Sequence, residues 1–266
     1  MTEHTTRPAT ARQHRGSPPA PRVVIPQYSR SSILKIWAAA ALPMAALSWL
    51  VAPVLASFLP GRSPLVSALL LCMTAGLVWQ SALVLTLVRR EQGALSWHVL
   101  RDALWLRAPR SPRTGRTGGR TWWMLAPFIL LFAAEQLVPS LPLPAARDFG
   151  LFLGSSSGHA FFSGAWGWFA LFVVMGLFNT VLGEELLFRG FLLPRMNGAF
   201  GRGDWVVNGL LFAVYHLHVP WVIPSALIDA VALALPTKRY HSAWMGIAIH
   251  STQTVFLSLA VLTVVA

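Results

Sequence analysis

Seven apolar runs divide the chain from Ile33 to its last residue, and nothing else in the sequence restricts its fold so strongly. They extend from Ile33 to Leu59, Leu65 to Val88, Trp122 to Val138, Ala165 to Leu182, Trp205 to Leu217, Trp221 to Leu235 and Ala243 to Ala266. A helix crosses a bilayer with about 20 mostly apolar residues, so each run is a candidate span, the Trp205 and Trp221 runs being short. Only 11% of the residues are charged and mean hydropathy is +0.57. A soluble domain carries about 25% charged residues. The expected fold is therefore all-α, a polytopic transmembrane helix bundle of about seven helices, within a range of six to eight.

The formal net charge of +12 invites a nucleic-acid reading, but its placement argues against one. Of 21 Lys and Arg residues, five precede residue 31 and eight lie between Arg89 and Arg120. Both clusters flank apolar runs and hold few aromatic side chains for base stacking, chiefly Trp97 and Trp105. The positive-inside rule accounts for them better and places both in the cytoplasm. The expected organisation is a disordered basic tail over 1–32, N-terminal membrane helices over 33–164 with a basic cytoplasmic loop at 89–121, and a second set of helices over 165–266. Pro139 to Gly164 is then an external loop, and the Arg-, Pro- and Gly-rich stretch 108–120 a solvated one. Lone Cys72, inside an apolar run, says little about compartment. Trp122, Trp123, Trp166, Trp168, Trp205 and Trp221 stand near run ends, as in an aromatic belt.

Within this apolar context, Gly183-Glu184-Glu185-Leu186-Leu187-Phe188-Arg189-Gly190 stands apart. Ionisable groups at membrane depth are costly and mark function or pairing. Four residues apart on a helix, Glu185 and Arg189 share a face, whereas Glu184 points about 100° away. One carboxylate thus has a local partner and the other is free.

Two histidines stand inside later apolar runs, His216 and His250. Either alone can be a buried interhelical hydrogen-bond former. Together with the two glutamates, on separate helices, they have the makings of a site built from facing side chains. Two chemistries suit them. A glutamate can act as general base on water with histidine assistance. Alternatively, Glu184, His216 and His250 match the ligand types of a catalytic zinc site with an open position. Residue spacing does not choose between metal and metal-free chemistry. His218, two residues beyond His216, is read as facing away from it into interfacial water. Glu135 and Asp229 fall near expected helix ends. Asn179 and Asn208 are read as interhelical hydrogen-bond formers, and Tyr215 and Phe188 as packing.

The motifs resemble those of the CPBP family of intramembrane proteases, the CAAX-processing and bacteriocin-processing enzymes also called the abortive-infection family. Glu184, Glu185 and Arg189 match its Glu-Glu-x-x-x-Arg, Phe212 and His216 its Phe-x-x-x-His, and His250 its third motif, with Thr254 where asparagine is common. The resemblance spans roughly residues 165 to 257. It implies that Glu184 activates water with help from His216, that Glu185 and Arg189 orient the motif, and that His250 and residue 254 stabilise the oxyanion. The implied protein is an integral membrane protein, N-terminus cytoplasmic, in the plasma membrane. Its expected activity is that of an intramembrane endopeptidase cutting a peptide or protein near the cytoplasmic face, in contact with lipid and not with nucleic acid. The alternative is a non-peptidase scaffold, partner-binding or immunity protein of the same fold. A proton-coupled transporter is disfavoured because no internal repeat is visible.

Overall fold

The computed structural model describes residues 23–138 and 147–266; the basic residues at 1–22 and part of the expected external loop, 139–146, lie outside them. Four helices have the length and hydropathy of membrane spans: α1 (Arg30–Ala56), α2 (Pro64–Gln92), α7 (Trp166–Arg195) and α11 (Ala243–Val265). Between α2 and α7 come the shorter α3 (Trp97–Ala103), α4 (Leu125–Ala133), α5 (Phe149–Leu153) and α6 (Ser156–Phe162). Helix α8 (Asp204–Tyr215) follows, then a pair bent by 53°, α9 (Pro220–Ala226) and α10 (Ala230–Tyr240).

The all-helical membrane bundle agrees with the apolar pattern, but the expected count of seven does not. Four spans, or five with the bent pair as one, pass by length and composition among the described residues. The Trp122 run is broken into a 3-10 turn, the nine-residue α4 and another 3-10 turn, and α8 is only 12 residues long. Hydropathy records that these segments are apolar; it does not record that they are short.

Prolines shape the long helices. Each lacks a backbone N–H and crowds the carbonyl one turn back. Three π-helical segments, Leu47–Val51, Leu186–Leu192 and Ala230–Ala234, each end two residues before a proline: Pro53, Pro194 and Pro236. Widening the turn relieves that crowding and leaves carbonyls for other donors. Pro43 in α1 cannot bond Ala39, and the Trp79 indole N–H donates to the Ala39 carbonyl instead, at 2.9 Å. Arg147 donates to the Ser48 carbonyl at 3.1 Å, where the wider turn would otherwise reach Pro53. In lipid such substitutions are needed, because no water completes an orphaned backbone group.

Helices α7 and α11 pack antiparallel along a seam of small and polar residues. Thr254 lies on Gly176, Ser251 bonds Thr180 at 3.2 Å, and Gly246 meets Glu185 and Arg189. Small residues let membrane helices approach closely where lipid gives no hydrophobic drive. Gly183 brings the α7 backbone against Leu77 of α2 in the same way, and the Ser81 hydroxyl donates to the Leu182 carbonyl at 2.8 Å.

One end of the bundle is tied by charge. Arg195 is fully buried, pairs with Glu91 at 2.5 Å, donates to the Phe191 and Ala103 carbonyls and lies 3.8 Å over the Phe191 ring. The tail segment before α1 joins this knot. The Tyr28 N–H donates to the Arg195 carbonyl at 2.9 Å, its hydroxyl bonds Glu91, and Gln27 bonds Pro194 and Gly198. Burial, together with Glu91, pushes the Tyr28 phenol well above its ordinary pKa, so it stays a donor. Residues 108–118 form a tight turn closed by an Arg110–Thr117 bridge.

Breaking the Arg195–Glu91 pair from one side strands a buried charge. Glu91→Ala should lower stability by about 3–5 kcal/mol. Glu91→Leu combined with Arg195→Met should recover much of that loss, read as thermal unfolding of purified protein in detergent.

Candidate active site

The candidate site sits where α7 turns from one helical geometry to another. Residues Phe178–Gly183 form a fourth π-helical segment, closed by the Glu184 N–H donating to the Asn179 carbonyl. Unlike the other three, no proline follows it within a turn. Single π turns inside α-helices recur at functional sites. Here the segment delivers Glu184 and Glu185 into the centre of the bundle, 2% and 0% exposed.

Glu185 is the hub. Its Oε1 lies 3.1 Å from Arg189 Nη1 and 3.1 Å from His250 Nδ1 on α11. The i,i+4 pairing expected from sequence is present, with a second cation-capable partner. The Arg189 guanidinium stacks 4.0 Å over the Phe212 ring. Its nitrogens have no well-aligned hydrogen bond among the described residues, so charge and the ring face hold it. Phe212 of α8 also packs edge-on against His216 at 4.9 Å and His250 at 6.0 Å. The phenylalanine of the second motif is thus the surface on which all three polar partners rest.

Glu184 makes no ion pair among the described residues. Its Oε2 is buried without a partner among the described residues, and the Tyr215 hydroxyl lies near the carboxylate. Gln80 of α2 donates to that hydroxyl at 2.5 Å. Tyr215 is therefore more than packing, its hydroxyl held by Gln80 of α2 beside the free carboxylate. A lone glutamine within the apolar run Leu65 to Val88 was the signal for it.

Helix α8 stops at Tyr215, and His216–His218 continues as a 3-10 turn. His216 Nδ1 bonds the Phe212 carbonyl at 3.0 Å, which leaves Nε2 as its available nitrogen. The tighter turn corrects the expectation for His218: its ring stacks on His216 at 5.5 Å and is buried, not set in interfacial water. His218 and Asn179 line a largely apolar cleft of about 240 Å³, together with Met44, Leu70, Phe149 and Trp221. Asn208 does bond between helices, donating to the Phe188 carbonyl at 2.8 Å. Glu135 accepts from Ser225 at 2.9 Å, and Asp229 is buried with Oδ1 unpartnered among the described residues.

Thr254 lies one turn beyond His250 with its methyl on Gly176; a Cβ at 176 would come within 2.5 Å of it. Gly246 is a requirement that sequence reading missed. A Cβ there would lie 2.4 Å from Glu185 Oε2, 3.0 Å from the Thr237 hydroxyl and 3.1 Å from Arg189 Cγ. Among the described residues, no three His, Cys, Asp or Glu side chains converge as a metal ligand set. Glu184, His216 and His250 therefore do not fit the zinc reading in this arrangement.

The arrangement defines a membrane-embedded cluster of glutamate, histidine and arginine carried on three helices. Residues 166–256 match the family described as Rce1-like, type II CAAX prenyl endopeptidase Rce1-like. The match covers all three motifs and bears out the resemblance to the CPBP family. No curated protein and no solved structure matches the chain.

Gly246→Ala should displace Glu185 and lower the unfolding temperature more than Gly167→Ala, where no atom stands within 4 Å of an added Cβ. Glu185→Ala and Arg189→Ala should each cost about 3–5 kcal/mol by stranding the other charge. The yield of folded protein from gel filtration checks both.

Proposed function

We propose that this protein is an intramembrane endopeptidase that hydrolyses a peptide bond with water activated by Glu184. The observation that carries the proposal is the division of labour between the adjacent glutamates. Glu185 is committed to Arg189 and His250, while Glu184 is buried beside them without a cation of its own. Glu184 takes a proton as water adds to the scissile carbonyl. His216, its Nδ1 fixed on a carbonyl, offers Nε2 to that water. His250, oriented by Glu185 through Nδ1, offers its other nitrogen to the developing oxyanion. Collapse of the tetrahedral intermediate breaks the C–N bond, and the proton held by Glu184 passes to the leaving amine. A donor aimed at an oxyanion is worth about 2.7–4 kcal/mol.

The Tyr215–Gln80 pair is a positioning element for Glu184. The oxyanion contact is assigned to His250, which Glu185 orients, whereas Thr254 turns its methyl into the helix seam at Gly176. The positive-inside rule assigns the Arg195 end, with Arg30, Arg202 and Arg239, to the cytoplasm of a plasma-membrane protein, and the cut to that side of the membrane. The family description makes peptides ending in a prenylated CAAX sequence the first substrate class to try.

Glu184→Gln should lower the turnover of a fluorogenic prenylated CAAX peptide at least about 100-fold, the usual scale of a lost general base, with unfolding temperature kept. Full activity in that variant sinks the mechanism. Tyr215→Phe should retain partial activity with a shifted pH profile.

A second reading is favoured by Thr254, whose methyl fills the seam at Gly176. In a non-peptidase relative the same cluster would only hold helices together for a partner. Co-purification of a stable partner, with cellular function surviving Glu184→Gln, would select it.

A further inference from the structure

Two residues other than glycine have positive φ among the described residues, Trp105 at 52° and His241 at 49°. They stand 136 positions apart in the chain, yet their rings pack edge to face at 5.1 Å. Left-handed backbone is unfavourable for side chains of this size and persists only where surrounding structure imposes it. Here the constraint is a set of latches between the basic loop and the α10–α11 turn. The Arg110 N–H donates to the Tyr240 carbonyl at 2.9 Å, the Ala243 N–H to the Trp105 carbonyl at 2.9 Å, and the Ser242 hydroxyl to the Arg107 carbonyl at 2.6 Å.

The latches hold open a concavity of about 650 Å³ whose lining includes Arg107, Arg110, Arg239, His241, Ser111 and Thr117, and no carboxylate. Three other cations at this end have carboxylate partners, Arg195 with Glu91, Lys238 with Asp204 and Arg101 with Asp102. Arg30, Arg89, Arg90 and Arg202, unpaired among the described residues, stand singly or in sequence at helix ends and do not converge on a concavity with the pocket arginines. Arg107, Arg110 and Arg239 have no acidic partner among the described residues, and Arg107 and Arg239 have no side-chain hydrogen bond there either. Only Arg110 is engaged, donating to the Gly115 carbonyl at 3.2 Å. Burial lowers the His241 pKa, and the positive charges of Arg107, Lys238 and Arg110 lower it further, as expected for a pocket short of anions.

We infer that this concavity is a binding site for a phosphate group, supplied by an anionic lipid headgroup or as free phosphate. Guanidinium groups match phosphate oxygens in paired hydrogen bonds, and hydroxyls and an imidazole N–H add donors for the remaining oxygens. The pocket opens at the end of the bundle where α1, α2, α7 and α10 carry their terminal arginines, the level at which lipid phosphates meet a membrane protein. Basic pockets between helix ends on that side are suited to headgroups.

The test compares full-length wild type, Arg107→Gln/Arg239→Gln and Arg89→Gln/Arg202→Gln. The last removes equal charge from the same end outside the pocket. Native mass spectrometry would measure retention of phosphatidylglycerol against phosphatidylcholine, with and without inorganic phosphate. The expected result is preferential phosphatidylglycerol retention by wild type, weakened about 30-fold in the pocket variant and little changed in the other. Retention that survives millimolar phosphate identifies lipid as the source. Saturable phosphate binding without lipid preference, lost in the pocket variant, identifies free phosphate. Equal losses in both variants, no binding of either probe, or binding of an acidic peptide alone would overturn the inference. Phenylglyoxal labelling of Arg107 and Arg239 in the wild type needs no variant: protection by either probe supports the site, and undiminished labelling by both refutes it.

Discussion

A carboxylate placed among apolar helices stays charged only if cations come to meet it, and in this bundle everything around Glu185 is arranged for that meeting. Arg189 reaches it from the next turn of α7 and His250 from α11, both at 3.1 Å. The glycine at 246 exists because the two helices must come close enough for the second contact. Phe212 supports the back of the guanidinium with its ring face. Remove the central charge and the cationic partner, the glycine and the aromatic shelf each lose their purpose. Glu184 benefits without taking part: with its neighbour satisfied, it alone remains uncommitted.

The membrane bundle was legible because apolarity is a property of residues in sequence, and the pairing of Glu185 with Arg189 because helical spacing is local. Span count was less so. The Trp122 and Trp205 runs are as apolar as real spans, but 3-10 turns at 119–124 and 134–137 and the end of α8 at Tyr215 cut them short. His218 was misplaced for a related reason. An α-helix carried past Tyr215 separates it from His216, whereas the observed 3-10 turn stacks the two rings.

Other features depend on contacts between distant segments, which no local pattern announces. Gly246 looks like any glycine in an apolar helix until Glu185 is set against it. Gln80 and Tyr215 are 135 positions apart, and only the packing of α2 against α8 turns them into partners. The two carboxylates and two histidines, by contrast, betray themselves by chemistry alone, since such groups are too costly at membrane depth to be incidental.

The π turn before Glu184 has an evolutionary and engineering meaning. A π turn is an α turn holding one surplus residue, which it absorbs locally. Turning Phe178–Gly183 into ordinary helix without removing a residue would swing Glu184 and Glu185 by about 100°, although every side chain in the motif remained present. The site is thus encoded in the width of one turn as much as in residue identities, and a relative one residue shorter here could keep the same facing with ordinary helix.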